Sequence, residues 1–144
     1  MRLSRFAALV FLIAAACSDS AGLGSTTGVT LTLVLSTTNL RRADADTITM
    51  TVRNNGPRGV TLTGGVCEPR AQVVNGSGEI VVPPGGQAPC VLVLRRLELA
   101  PGEKLVRSFV WNTSSLPAGT YRVSATFTSE EVQLATAPVT IELN

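Results

Sequence analysis

The segment Thr47-Ile48-Thr49-Met50-Thr51-Val52-Arg53 places an apolar side chain at every second position, with threonine between. Successive side chains of an extended chain point to opposite faces, so a period of two marks a strand buried on one face. The segment runs into Asn54-Asn55-Gly56-Pro57, a strong turn signal, and Gly59-Val60-Thr61-Leu62-Thr63 resumes the alternation. Together these pieces predict a hairpin.

The same pattern recurs on both sides. Val29-Thr-Leu-Thr-Leu-Val-Leu35 alternates upstream. Downstream, residues 70–74 and 79–82 are short strand candidates separated by Asn75-Gly76-Ser77-Gly78, after which Pro83-Pro84-Gly85-Gly86 forbids regular structure. Val91–Leu94 begins another strand, interrupted by Arg95 and Arg96. Leu105–Trp111 and Arg122–Thr128 follow, and a last strand covers roughly 132–143, where Pro138 argues for an edge position or a bulge. Seven to nine short strands with regular turn signals and no convincing helix predict an all-β, immunoglobulin-like antiparallel β-sandwich over residues 29–144. Few aromatics and many valines, threonines and leucines agree with that class. Tyr121, just after Leu116-Pro117-Ala118-Gly119, has the position of a tyrosine corner, and it and Trp111 are expected to be structural.

The amino terminus reads as a targeting segment. Arg2 and Arg5 precede the apolar run Phe6–Ala16, whose eleven residues would rise roughly 16 Å as helix, too short for a conventional span. Residues 1–16 are therefore expected to be a cleaved signal peptide. Leu12-Ile13-Ala14-Ala15-Ala16-Cys17 resembles the lipobox of bacterial lipoproteins, in which the cysteine is acylated and becomes the first residue. Cys17 is the expected lipidation site, and 17–28 the lipid-anchor cysteine and flexible tether. Ser18 favours the outer membrane under the enterobacterial sorting pattern. Ala14-Ala15-Ala16 also satisfies the A-x-A rule, so the alternative is a soluble secreted or periplasmic protein.

Cleavage there removes two of the 12 cations and none of the 10 acids, leaving a formally neutral chain. No electrostatic case for nucleic acid survives. The sequence has no histidine, which removes the usual general base, the Ser-His-Asp triad and imidazole metal ligation. Asp44/Asp46 and Glu130/Glu131 remain as carboxylate pairs; they lie in predicted loops and read as solvated surface. No calcium loop or phosphate-binding glycine motif occurs. The expectation is a protein that is not an enzyme, with no catalytic residue, metal or cofactor.

Cys67 and Cys90 form an even pair in one small exported domain, most simply a disulfide. Closing a loop of about 24 residues contributes roughly 3 kcal/mol in the chain-entropy account, and it would fasten the Pro/Gly-rich excursion 75–89 to the sandwich. Neither cysteine has a CxxC partner, which argues against a reactive thiol or metal pair. Asn75-Gly-Ser77 and Asn112-Thr-Ser114 match the glycosylation sequon and read as turn chemistry.

Thr49-Met-Thr-Val-Arg-Asn-Asn-Gly56, Leu97-Glu-Leu-Ala-Pro-Gly-Glu103, Trp111 and Leu116-Pro-Ala-Gly-Thr-Tyr-Arg-Val123 occur in an order that resembles the BsuPI-type intracellular proteinase inhibitor domain. The resemblance covers most of residues 45–128 and implies an immunoglobulin-like sandwich and inhibition of a proteinase. The export leader and the Cys67–Cys90 pair depart from an intracellular family. The expected function is a non-catalytic binding module of the cell envelope, anchored to the membrane through its lipid, with a proteinase or another envelope protein as partner. The alternative is a structural or assembly lipoprotein without inhibitory activity. Loop 75–89 is the first place to look for a contact surface.

Overall fold

The computed structural model describes residues 28–83 and 93–144. The leader 1–16, Cys17, the tether up to residue 27, and residues 84–92 including Cys90 lie outside the described residues.

Three strands make the first sheet: β1 (Val29–Leu35), β3 (Ala45–Asn54) and β8 (Lys104–Asn112), in the order β1-β3-β8. The ten-residue β3 is central because its alternation offers one apolar face along its whole length. Asp46, Ile48, Met50, Val52 and Asn54 all point inward and are buried. Register carries that face across the sheet: Val52 sits between Leu31 and Leu105, and Ile48 between Leu35 and Phe109.

The second sheet runs β2-β11-β9-β5-β6, from β2 (Asn39–Leu40), β11 (Val139–Leu143), β9 (Gly119–Thr128), β5 (Arg70–Asn75) and β6 (Ile80–Val82). A short β10 (Gln133–Ala135) also pairs with β9. On β9 the inward set is Tyr121, Val123, Ala125 and Phe127, all buried. A pair formed by β4 (Val60–Gly65) and β7 (Leu94–Leu99) completes the architecture. Two apolar clusters fill the space between layers. One joins Ile48 and Trp111 of the first sheet to Val73, Tyr121, Val123 and Ile141 of the second. The other joins Val29 and Val52 to Leu62, Leu99 and Phe127. Two facing sheets, antiparallel except for the short β2–β11 pair, enclose the core as an immunoglobulin-like sandwich.

The expected hairpin between residues 47–53 and 59–63 does not form. Both neighbours of β3 are β1 and β8, while β4 pairs with β7. The reason lies in Asn54. Its Oδ1 accepts from Gly56 N at 2.9 Å, and its Nδ2 donates to Arg58 O at 2.7 Å and Leu99 O at 3.0 Å. These bonds turn the chain out of the first sheet and hold it beside the end of β7. The Asn-Asn-Gly-Pro signal thus makes a crossing between layers.

The last strand also differs. Residues 132–143 are split into β10 and β11, with Pro138 in the break, and β11 lies inside the sheet between β2 and β9. Proline has no N–H for a ladder, so pairing stops before it and restarts after it. Thr136 bridges the interruption: its N donates to Ala125 O and its Oγ1 accepts from Ala125 N, both at 2.9 Å. This split and the two-residue β2, which pairs in parallel with β11, bring the described strands to eleven. Asn75-Gly76-Ser77-Gly78 does make a hairpin, joining β5 to β6, with Asn75 Oδ1 accepting from Ser77 N and Glu79 N. Asn112 Oδ1 likewise accepts from Ser114 N, so both sequon asparagines serve turns.

Candidate functional site

Trp111 on β8 and Tyr121 on β9 face each other across the core. Their ring centroids are 5.9 Å apart at 66°, an edge-to-face contact that suits the ring quadrupoles. The Tyr121 hydroxyl donates to Pro117 O at 2.7 Å, tying the β8–β9 connection down to the strand that follows it. Burial holds the phenol above its ordinary pKa, so the donor stays protonated. Replacing Tyr121 with phenylalanine keeps the ring contact and removes this bond. The expected loss is about 1 kcal/mol of unfolding free energy by denaturant titration.

The two carboxylate pairs separate by direction. Asp44 is exposed and its Oδ2 accepts from Arg41 N at 2.9 Å. Asp46, expected at the solvated surface, is fully buried in β3, because it lies in phase with Ile48, Met50 and Val52. Its Oδ1 accepts from Ser36 N at 3.0 Å and from Ser36 Oγ, closing the end of β1 onto β3. No described partner meets its Oδ2, nor the Nε1 of Trp111, the residue opposite Asp46 in register.

Glu130 and Glu131 are exposed, as expected. Glu131 Oε2 accepts from the Thr63 backbone N–H at 2.8 Å, and that bond holds its carboxyl below the ordinary value. A carboxyl with its folded pKa depressed stabilises the fold at pH above its unfolded value and loses that contribution as pH falls through the folded one. Glu131→Gln is therefore expected to flatten the acid limb of a stability-against-pH curve, read from thermal melts, with its difference from the parent shrinking toward low pH.

Cys67 ends the turn after β4. Its possible disulfide partners, Cys17 and Cys90, lie outside the described residues. The following Glu68 is buried: Oε2 accepts from Thr128 N at 3.1 Å and Oε1 pairs with Arg70 Nε at 2.8 Å. These contacts fix the β4–β5 junction against the end of β9.

Beside that junction a cavity of about 280 Å³ opens between β5, β6 and β8. Met50, Ala71, Val82 and Phe109 supply apolar walls, and the cationic residues Arg70 and Arg107 also line it. Arg107 occupies an inward position of β8, between Leu105 and Phe109 in phase, and its Nη2 donates to Val66 O at 2.6 Å. The sequence marked Asn54 as a turn residue and not as a buried one, and Arg107 did not stand out in it. The signal for both was their phase: each continues the inward set of an alternating strand with a polar side chain.

No protein-family model and no curated protein matches this sequence. Solved structures do resemble it. A β-glucosidase from Listeria innocua in complex with gluconolactone shares 12% identity over 81% of this chain and 16% of that chain, at a TM-score of 0.50. A CARDB domain from Pyrococcus furiosus shares 18% over 81% of this chain and 94% of that one, at 0.49. An alkylpurine DNA glycosylase from Pseudomonas fluorescens, bound to DNA containing an abasic site analog, shares 12% over 82% and 31%, at 0.49. This chain spans 15% of a β-glucosidase from Erythrobacter marinus and 16% of the Listeria one. The fold rests on this chain's own strand order: it is an all-β, immunoglobulin-like sandwich.

Proposed function

We propose that this protein is a non-catalytic binding module of the bacterial cell envelope, exported by its leader, anchored through Cys17, and acting on proteinases as a BsuPI-like inhibitor. The observation that carries the reading is the order of the BsuPI-like motifs on an immunoglobulin-like frame. The motif pieces bind one another directly: Asn54 N donates to Glu103 O at 3.0 Å, Gly102 N donates to Asn54 O at 2.8 Å, and Asn54 Nδ2 reaches Leu99 O. A chain without histidine supports the non-catalytic part. In this reading Cys67 pairs with Cys90 and fastens the excursion 75–89 to the rigid sandwich, where loops carry recognition.

The test is inhibition. The purified mature chain is expected to slow an envelope proteinase of its host, and replacing residues 83–89, the part of the excursion that follows β6, with Gly/Ser residues to relieve that inhibition. Intact mass of the membrane-extracted protein should show an acyl adduct and a deficit of two hydrogens. A soluble, unacylated chain would sink the anchor.

A second reading, a structural or assembly lipoprotein, is favoured by the outer face of the first sheet. Val34, Val106 and Val110 are exposed there among threonines and Ser108. A stable envelope partner that co-purifies while no proteinase is slowed would decide for it.

A further inference from the structure

We propose that the cavity between β5, β6 and β8 receives the carboxylate side chain of a partner polypeptide, with Arg107 as its receptor. This rests on the binding-module reading above and specifies where and by what chemistry the partner is held.

Arg107 is half-buried, and of its five N–H donors one is seen to reach a described acceptor, Val66 O. The other guanidinium of the cavity, Arg70, is engaged by Glu68 at 2.8 Å. Among the described residues no carboxylate pairs with Arg107. Of the two described cations that line the cavity, Arg107 is the one without a described carboxylate partner. A partly desolvated cation of this kind is complementary to an anion, and the planar fork of a guanidinium matches a carboxylate with two parallel bonds.

The walls select the rest of the ligand. Met50, Ala71, Val82 and Phe109 suit the methylene stem of an acidic side chain more than a free, fully hydrated anion. At about 280 Å³ and open to solvent, the space lies just under the usual range for small-molecule sites and could not bury most of a free ligand. It can bury one side chain. Cys67 and, from the excursion, Val82 and Pro83 line the cavity, so a partner seated in it also contacts the excursion.

The test uses N-acetylglutamate N-methylamide and the neutral N-acetylglutamine N-methylamide as probes, titrated into the full mature chain with labelled methyl groups. The glutamate probe is expected to shift the Met50, Ala71 and Val82 methyl resonances saturably. The glutamine probe should do so at least about tenfold more weakly, the ratio expected for one charge-assisted hydrogen bond. Arg107→Gln should abolish the discrimination and Arg107→Lys should keep part of it. Should Arg107→Gln fail to fold, Ala71→Leu, which narrows the cavity and leaves the charge, should weaken both probes.

Equal response to the two probes, no saturable shift at those methyls, or discrimination that persists without the Arg107 charge would each overturn the proposal. No proteinase enters this titration. A failure here leaves inhibition to be decided by its own assay, and a failure of inhibition leaves the cavity's preference standing.

Discussion

Trp111→Ala is expected to lower the unfolding free energy by about 3–5 kcal/mol, read as a drop in denaturant midpoint at unchanged slope. Trp111 is buried at the centre of the larger apolar cluster and stands edge-on to Tyr121. Removing the indole leaves a void bounded by both sheets, and a ladder-bonded backbone cannot collapse into it. Against a typical domain stability of about 5–15 kcal/mol, the variant should be substantially unfolded at physiological temperature.

Trp111→Phe separates packing from polarity at the same position. It keeps most of the apolar contact and removes an Nε1–H that is buried with no described acceptor. Its cost should be much smaller than that of alanine, because an orphaned donor is lost together with the area. Equal losses for the two variants would mean that the ring's size is not what the core requires.

Asn54→Ala carries the second large effect, about 3 kcal/mol. The substitution leaves Leu99 O in a buried setting and frees Arg58 O and Gly56 N, the groups that turn the chain from β3 toward β4. Asn54→Asp keeps the acceptor for Gly56 N, but it sets a carboxylate against two carbonyl oxygens and should be no more stable than alanine. The adjacent Asn55, whose Nδ2 donates to Thr30 Oγ1 at an exposed position, is the control. Its alanine variant should stay within about 0.5 kcal/mol of the parent. Chemical denaturation of all three chains checks the order.

Asp46 and Asn54 show how far sequence reasoning reaches into the interior. The alternation from Thr47 to Arg53 identifies the inward set, and extending its phase by one step in each direction lands on Asp46 and Asn54. Both carry polar side chains, so a reading by residue type places them in solvent. Their burial follows from partners that are distant or unpredictable in the chain: Ser36 for Asp46, Leu99 and Arg58 for Asn54. A buried polar group persists where hydrogen bonds meet it, and that condition is visible only once strands have been placed side by side.

Arg107 follows the same logic. Its inward phase on β8 was legible, yet Met50, Ala71 and Val82 come from three other strands. Nothing local to Leu105-Val-Arg-Ser-Phe109 announces a cavity.

By itself the sequence determined that the domain is all-β, where most strands run and which face of each is apolar, because the direction of a side chain along an extended backbone is a local property of period two. The tertiary structure alone decided which strands pair. A strand's hydrogen-bonding edges are the same whatever its side chains, and the choice of partner is made by how the whole set buries its apolar faces. That is why the Asn54-Asn55-Gly56-Pro57 turn, read as the tip of a hairpin, serves instead as a bridge between two layers.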